Sequence, residues 1–329
     1  MRRAIYILGE GSFERIYGGE EQNDIAALVN VGAPQTAESI CQQLALLRDV
    51  EIILSGWGCP VMDRAFLDAA PSLKALLYGA GSVRGIVTPE FWERGILLSS
   101  AWGANAIPVA EYTLSQILFC LKHGWHDALE TKRQRRLVRK EPVPGAYGGA
   151  VGIISLGMIG RRVCELLRSF DVRVFAYDPY APIEAVRRLN VTLCSLDEIF
   201  SRCDVVSLHT PWLKETEAMI TGRHFSMMKS GAAFINTARG AVVNEPEMIE
   251  ALKRRPDIFA VLDVTHPEPP VPGSPLFTLP NVVLTPHIAG SMDSECRRMG
   301  RFMVDELKRY LGGEPLRWRV TREQAETMA

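Results

Sequence analysis

The sequence predicts an α/β chain with two doubly wound parallel-sheet domains. Strand-like and helix-like segments alternate through residues 1–102, and from residue 150 six strand candidates follow in series with helical segments between them. Such alternation is typical of parallel sheets whose strands are joined by crossover helices. A length of 329 residues also favours two domains, each with enough chain to bury its own core.

The overall composition narrows the class of protein. A formal net charge of −1 and a pI near 6.6 argue against nucleic acid or an anionic membrane as a partner. No apolar run approaches the roughly 20 residues that span a bilayer, and we expect no signal segment. The seven cysteines are scattered without a C-x-x-C pair, which favours reduced thiols in a cytoplasmic protein and argues against a metal site.

The first domain is predicted to contain four buried strands and two intervening helices: Ala4–Leu8, Glu51–Ser55, Leu73–Tyr78 and Ile96–Ser99, with helices at Ala37–Arg48 and Asp63–Ala69. Two of the strands run into glycine-rich turns, SGWG from Ser55 and YGAGS from Tyr78. Open α/β sheets bind ligands at the carboxyl ends of their strands, and free backbone amides there suit a carboxylate. An ordinary loop explains these turns equally well.

A helical connector is predicted over residues 105–136, as one long helix or two abutting ones, with Pro108 near its start. Six of the nine residues 132–140 are basic. In a chain of nearly zero net charge they indicate a solvated helix end, where cations are favoured, rather than a nucleic-acid contact. A proline- and glycine-rich linker follows over residues 141–149.

The stretch from Val151 to Asp178 reads as a strand, a glycine turn, an amphipathic helix and a second strand that ends in an acid. Gly157 and Gly160 lie in the turn, and Asp178 follows Gly157 by 21 residues. This layout predicts a dinucleotide site, because the turn lets backbone approach a pyrophosphate that the helix N-terminus favours. The acid can bind the ribose 2′-hydroxyl and favours NAD over NADP.

The turn departs from the G-x-G-x-x-G pattern at its first position, where Ser155 replaces glycine. Serine is tolerated there if its φ is negative, whereas a positive φ would strain it.

The second domain contains six predicted strands: Ala150–Ser155, Val172–Asp178, Asp204–His209, Ala232–Ala238, Phe259–Val264 and Val282–Pro286. Six parallel strands with crossovers make a complete dinucleotide-binding sheet of two halves, which is a stronger indication than the glycine turn. A last amphipathic helix is predicted over Asp293–Leu311, free to pack back onto the first domain. Residues from about Val320 are expected to fray.

Three polar residues follow consecutive strands of this second sheet: Arg239, Glu268 and His287. Strand ends in one parallel sheet face a common crevice, so the three can converge. A histidine suits acid–base chemistry near neutral pH, a carboxylate would orient it, and arginine offers a two-pronged donor for a substrate carboxylate. Taken singly, each residue has a plain alternative: a strand-end ion pair, a solvated loop acid and a polar strand cap.

Five segments carry a more specific resemblance: GIISLGMIG, CDVVSLHTP, FINTARGAVVNE, LDVTHPEP and NVVLTPHIAG. With them the chain resembles the D-isomer-specific 2-hydroxyacid dehydrogenase family over nearly its whole length. The resemblance implies a flavodoxin-like substrate domain, residues 1–104 plus 293–329, with an inserted Rossmann NAD-binding domain, residues 105–292. It also implies a homodimer.

The activity implied by the resemblance is NAD(H)-dependent interconversion of a 2-keto acid and a D-2-hydroxy acid. His287 would be the acid/base, paired with Glu268, and Arg239 would bind the substrate carboxylate. The substrate would also contact Trp57, Ala80, Gly81 and Ser82. The residues implied to bind NAD are Gly157, Met158, Ile159, Gly160, Asp178, Thr210, Pro211, Thr237, Ala238, Asp263 and Gly290.

Two questions stay open at the level of the sequence. Trp57, Trp102 and Trp212 flank the expected site loops and either wall an apolar pocket for a bulky 2-keto acid or are ordinary core residues. A non-catalytic NAD(H)-sensing protein of the corepressor type can retain Arg239, Glu268 and His287, so it is the alternative to the enzyme.

Overall fold

The computed structural model describes residues 1–138 and 142–328, and the chain divides into two compact units. The first consists of Met1–Ala106 with Ser291–Met328, and the second of Ile107–Gly290. The boundaries expected from the sequence lie two residues away at each junction. Parts of the basic stretch and of the linker, at residues 139–141, lie outside the described residues, as does residue 329 of the expected substrate domain.

The first unit contains one five-stranded parallel sheet with the order β2-β1-β3-β4-β5. Its strands are β1 (Arg3–Ile7), β2 (Asn30–Val31), β3 (Ile52–Ser55), β4 (Ala75–Tyr78) and β5 (Leu97–Ser100). This is the flavodoxin-like strand order. The sequence predicts the four longer strands. It misses β2, because two residues are too short to show a period.

Seven helices belong to the first unit: α1 (Ser12–Ile16), α2 (Gly19–Leu28), α3 (Ala37–Gln42), α4 (Arg64–Ala69), α5 (Pro89–Glu93), α13 (Cys296–Leu311) and α14 (Arg322–Thr327). Short 3₁₀ helices lie at Leu44–Leu47 and Asp293–Glu295. The expectation of a frayed C-terminus from Val320 is wrong. The Thr321 side chain caps α14 by accepting from the amide of Gln324, while Val320 and Ala325 are buried.

The helix α13 covers one face of this sheet. Its side chains Met299, Met303, Val304 and Leu307 are completely buried in one apolar cluster with residues of β1, β3 and β4. The edge of the helix is fixed by Arg301, which binds Glu21 and Asp24. The core of the first unit therefore depends on α13, which is far in sequence from the strands that it covers.

The second unit contains a seven-stranded parallel sheet with the order β12-β11-β10-β9-β6-β7-β8. Its strands are β6 (Ala150–Ile154), β7 (Arg173–Tyr177), β8 (Thr192–Leu193), β9 (Val205–Leu208), β10 (Ala233–Asn236), β11 (Phe259–Leu262) and β12 (Val282–Leu284). The six predicted strands are present, and the two-residue β8 is added at one edge. The strand order reverses between β6 and β9, which is where doubly wound sheets bind their ligands.

Helices flank the second sheet: α7 (Gly124–Gln134), α8 (Met158–Leu167), α9 (Ile183–Leu189), α10 (Leu196–Arg202), α11 (Gly222–Met227) and α12 (Glu245–Arg254), with 3₁₀ turns at Gly240–Val242 and Pro275–Phe277. The predicted connector is two helices, α6 (Trp102–Cys120) and α7. Pro108 lies inside α6, not at its start, and the boundary between the units falls within this helix.

Candidate functional site

The glycine turn joins β6 to α8, and each glycine has its own reason. A Cβ on Gly160 would lie 2.1 Å from the carbonyl oxygen of Ser155, so only glycine allows the helix to approach the strand this closely. At Gly157 a Cβ would have one neighbour within 4 Å, the Ser155 hydroxyl oxygen at 4.0 Å. Gly157 therefore leaves the N-terminus of α8 open.

The open turn fits the pyrophosphate of a dinucleotide. Gly157 caps α8 without a side chain, so the first-turn amides of Met158 and Ile159 receive no side-chain cap. Such amides, together with the helix dipole, bind anions. At the end of the adjacent strand β9, the buried hydroxyl of Thr210 has no hydrogen-bond partner within residues 1–138 and 142–328. The residues present thus fit a bound dinucleotide.

Ser155 adopts a φ of +77°. Of the two alternatives that the sequence left open, this is the strained one, because a Cβ disfavours the left-handed region. The backbone holds it there: its amide donates to Tyr177 O at 2.8 Å, and its carbonyl faces Gly160.

Asp178 lies beside the turn and shapes it. Its Oδ2 accepts from the amide of Leu156 at 2.7 Å and its Oδ1 from the amide of Tyr180 at 2.8 Å. A carboxylate offers about four acceptor positions, so two remain for other donors.

The loop after β10 carries Thr237, Ala238 and Arg239, and it is held by a residue that the sequence analysis missed. Asn236, buried at the end of β10, accepts from the amide of Ala238 at 3.0 Å and donates to the carbonyl of Arg239 at 3.1 Å. A lone amide side chain after a buried apolar strand is a signal that could have revealed it. Thr237 is fixed through its hydroxyl, 2.9 Å from that of Thr113.

His287 and Glu268 form a close pair. The imidazole Nδ1 lies 2.5 Å from Glu268 Oε1, and both side chains are partly exposed. Arg239 follows β10, Glu268 follows β11 and His287 follows β12, so the three lie at the same edge of one sheet. The loops also touch, because a Cβ on Gly240 would lie 2.0 Å from the carbonyl carbon of Thr265.

Asp263 fixes the loop that carries His287. Its Oδ1 accepts from Thr285 Oγ1 at 2.6 Å and from the amide of Ile288 at 2.9 Å, while its Oδ2 accepts from the amide of Ala289 at 2.9 Å. The amide of His287 also donates to the backbone carbonyl of Asp263, and His287 takes a left-handed φ of +54°. Buried Asp263 is thus chiefly a support for this loop.

The other expected cofactor residues, Pro211 and Gly290, follow β9 and the His287 loop. Pro211 accepts through its carbonyl from Thr216 Oγ1 at 2.6 Å. The nearby His209 is no candidate acid/base, because burial lowers its pKa to about 3 and keeps the ring neutral.

The expected substrate residues Trp57, Ala80, Gly81 and Ser82 lie in the first unit. Within the described part of the chain, the amides of Ala80, Gly81 and Ser82 have no acceptor, while the carbonyls of Ala80 and Gly81 accept from buried Ser100 Oγ at 2.9 and 2.5 Å. Successive free amides of this kind form an anion-binding concavity. Ser100 is not among the site residues predicted from the sequence.

Packing accounts for part of the glycine content of these turns. A Cβ on Gly56 would lie 2.5 Å from Ile16 Cδ1, and one on Gly79 would lie 2.9 Å from Tyr17 Oη. The ordinary-loop explanation therefore applies to Gly56 and Gly79.

The three tryptophans differ. Trp102 packs edge-on against Trp318 in the first unit, with ring centroids 5.9 Å apart. Trp57 is partly buried against the first core, and Trp212 is 38% exposed beside His266. Core packing thus explains Trp102 at least in part.

Two features are absent from residues 1–138 and 142–328. These ranges hold no cluster of three or more His, Cys, Asp or Glu side chains arranged to bind a metal ion. No helix there has the length and apolarity that crossing a membrane requires.

These features define the class of protein: an α/β protein with a dinucleotide-binding sheet. A histidine–carboxylate pair follows the C-terminal ends of two strands of this sheet. Residues 116–289, more than half of the chain, match the NAD binding domain of the D-isomer specific 2-hydroxyacid dehydrogenases. The chain belongs to this family.

Relatives agree with this assignment. The chain is 32% identical over 272 residues to a glyoxylate reductase of Thermofilum pendens, covering 77% of this chain and 76% of that protein. It is 30% identical over 296 residues to a D-3-phosphoglycerate dehydrogenase of Methanocaldococcus jannaschii, covering 89% of this chain and 56% of that protein. The chain thus spans about half the length of the phosphoglycerate dehydrogenases it matches.

A solved structure supports the fold over the whole chain. The NAD-complexed D-isomer specific 2-hydroxyacid dehydrogenase of Lactobacillus delbrueckii ssp. bulgaricus superposes with a TM-score of 0.80 at 22% identity, covering 98% of this chain and 100% of that one. This likeness supports both predicted sheet architectures, and the family match gives NAD as the cofactor.

Proposed function

We propose that the protein is an NAD(H)-dependent oxidoreductase that interconverts a 2-keto acid and a D-2-hydroxy acid. The observation that carries the proposal is the 2.5 Å contact between His287 Nδ1 and Glu268 Oε1 at the carboxyl edge of an NAD-binding sheet. The names of the relatives, a glyoxylate reductase and a D-3-phosphoglycerate dehydrogenase, favour the same reaction type.

The proposed acid/base is His287. With Nδ1 turned to Glu268, the opposite nitrogen, Nε2, is left to carry the transferable proton. During reduction His287 would give this proton to the keto oxygen, and during oxidation it would take it from the hydroxyl. The Glu268 carboxylate would orient the ring and stabilise its charged form.

Arg239 is the proposed ligand of the substrate carboxylate, since a guanidinium binds a carboxylate through two parallel hydrogen bonds. Its loop is held by Asn236 and by the Gly240 contact, so the donor is positioned in advance. In the first unit, the free amides of Ala80, Gly81 and Ser82 support a role in carboxylate binding, and we propose Trp57 as a further substrate contact. NADH, when bound, would supply the hydride.

The cofactor contacts follow the turn. We propose that Gly157, Met158, Ile159 and Gly160 receive the pyrophosphate and that Asp178 binds the adenosine ribose through its two remaining acceptor positions. The residues proposed to line the rest of the cofactor site are Thr210, Pro211, Thr237, Ala238, Asp263 and Gly290. The buried, unpaired hydroxyl of Thr210 supports this placement.

The test is oxidation of NADH and NADPH against 2-keto acids from glyoxylate through hydroxypyruvate to phenylpyruvate. We expect turnover with NADH, a loss of about 10²–10⁴-fold in kcat for His287→Ala, and a smaller loss for Glu268→Gln. His126→Ala is the matched control, because His126 also pairs with an acid, Asp127, but on the surface of α7.

Other outcomes would contradict the enzyme. Tight NADH binding without turnover on any of the acids would instead favour the non-catalytic NAD(H)-sensing protein. Equal activity of His287→Ala and the wild type would remove His287 from the mechanism.

We further infer a cytoplasmic homodimer with a small 2-keto or 2-hydroxy acid as substrate and with neither nucleic acid nor membrane as partner. Support comes from the family resemblance, the near-neutral charge and seven cysteines that are all free thiols. The molar mass in solution tests the dimer.

A further inference from the structure

Ser155 has a side chain that the fold does not use. Its φ of +77° is a value that glycine adopts most readily. The turn imposes this value in two ways: the Ser155 amide donates to the carbonyl of Tyr177, and the Ser155 carbonyl lies close to Gly160. A non-glycine residue in the left-handed region is disfavoured and persists where its surroundings fix it. The backbone conformation at this position therefore favours glycine. The presence of a serine side chain needs a separate explanation.

Internal structural roles for the hydroxyl are absent in the described part of the chain. It does not cap α8, whose N-terminus receives no side-chain hydrogen bond. The adjacent amide of Leu156 is already taken by Asp178. The Ser155 side chain is only half-buried, so it does not fill the apolar core.

The hydroxyl instead faces the open side of the turn. Among the described residues other than the chain neighbours of Gly157, Ser155 Oγ is the atom within 4 Å of the position that a Cβ on Gly157 would occupy, at 4.0 Å. The second glycine of such a turn is the point at which backbone approaches the pyrophosphate. A hydroxyl at this point is a donor next to the anion, and a hydrogen bond to a charged acceptor is among the stronger ones.

We propose that Ser155 is a cofactor-binding residue that donates its hydroxyl proton to a pyrophosphate oxygen of NAD(H). The bond compensates in the complex for a backbone conformation that is unfavourable in the free protein. This inference rests on cofactor binding and is independent of the proposed reaction.

The test compares Ser155→Ala and Ser155→Gly with the wild type. Each is titrated with NADH, ADP-ribose and adenosine, and its thermal midpoint is measured without cofactor. Alanine keeps the strained Cβ but removes the hydroxyl, whereas glycine removes both. We expect both variants to bind NADH and ADP-ribose about tenfold more weakly. Adenosine, which has no phosphate, should bind all three proteins equally.

The thermal midpoint separates binding from folding. Ser155→Gly should be at least as stable as the wild type, because relief of the left-handed φ offsets the added freedom of the unfolded chain. Ser195→Ala is the control: Ser195 caps α10 in the same unit, so its loss should lower the midpoint and leave NADH affinity unchanged.

Two results would overturn the proposal. If both variants bind ADP-ribose as tightly as the wild type or more tightly, the serine is only a strained substitute for glycine. If adenosine affinity falls by the same factor, the residue acts on the shape of the turn rather than on the pyrophosphate.

Discussion

At the scale of single residues, the site depends on the carboxylate of Asp263, which accepts hydrogen bonds from the backbone. Asp263 is 2% exposed, and its two oxygens accept three hydrogen bonds from the segment that carries His287. A left-handed φ at His287 leaves this segment little intrinsic preference for its conformation. The position of the imidazole therefore depends on the hydrogen bonds that Asp263 accepts.

Asp263→Asn tests this support. An amide has one acceptor oxygen, so in either orientation its NH₂ group faces the N–H of Ile288 or of Ala289. We expect a loss of about 1–3 kcal/mol in the free energy of unfolding, since a buried group is left unpaired, and a fall in kcat. Asp257→Asn, which disturbs a partly exposed pair with Arg255 and a hydrogen bond with Ser230, should cost less than about 1 kcal/mol and leave kcat unchanged. Equal effects of the two variants would contradict the role of Asp263.

What the sequence predicts at this scale is residue identity at strand ends, not backbone conformation. Arg239, Glu268 and His287 can be proposed from the sequence because each is a polar residue that follows a buried strand. The φ of Ser155 was left open, because it is set by Tyr177 and Gly160, which reach it only in the folded turn. The sequence does not predict the role of Asn236, because that role consists of two hydrogen bonds with backbone groups.

At the scale of elements, length decides what a sequence reveals. The sequence predicts the strands of three or more residues and the strongly amphipathic helices α8 and α13. The elements it misses are short or polar, and they include β2 and β8, with two residues each, and α2, which buries only two of its ten residues. Such elements form because neighbouring elements complete them, which local periodicity cannot show.

The turn after β4 is an element whose function depends on a neighbouring strand. Ser100, at the end of β5, donates to the carbonyls of Ala80 and Gly81, and this fixes the orientation of the amides on the other side of the peptide planes. If these amides bind the substrate carboxylate, their geometry is controlled by one hydroxyl.

Ser100→Ala should therefore raise KM for a 2-keto acid several-fold, about 1 kcal/mol of lost binding, with kcat nearly unchanged. Ser99→Ala is a close control, because Ser99 lies on the same strand and donates to buried Glu306 instead. It should lower the thermal midpoint without altering KM. A rise in KM with Ser99→Ala alone would reverse the assignment, and unchanged KM in both would exclude the turn from substrate binding.

At the scale of the whole molecule, the two units differ in chain continuity. The second is one uninterrupted segment, Ile107–Gly290, whereas the first combines Met1–Ala106 with Ser291–Met328. The later segment is essential to the first core, since α13 supplies five completely buried side chains and residues 318–320 bond to the edge strand β5. The first core is therefore complete only when the C-terminal segment has been added.

Deletion of residues 291–329 should consequently disrupt the first unit and leave the second unit folded. Without α13, apolar residues of β1, β3 and β4 become exposed, and we expect the first unit to unfold and become sensitive to proteolysis. The second unit keeps both of its cores and should still bind ADP-ribose, whereas any reductase activity is lost. In the full chain, Leu307→Ala should cost about 2–5 kcal/mol by opening a cavity, and exposed Lys308→Ala should cost little. A truncated chain whose residues 1–106 stay resistant to protease would show that the first core forms without α13, contrary to the packing of Met299, Met303 and Leu307.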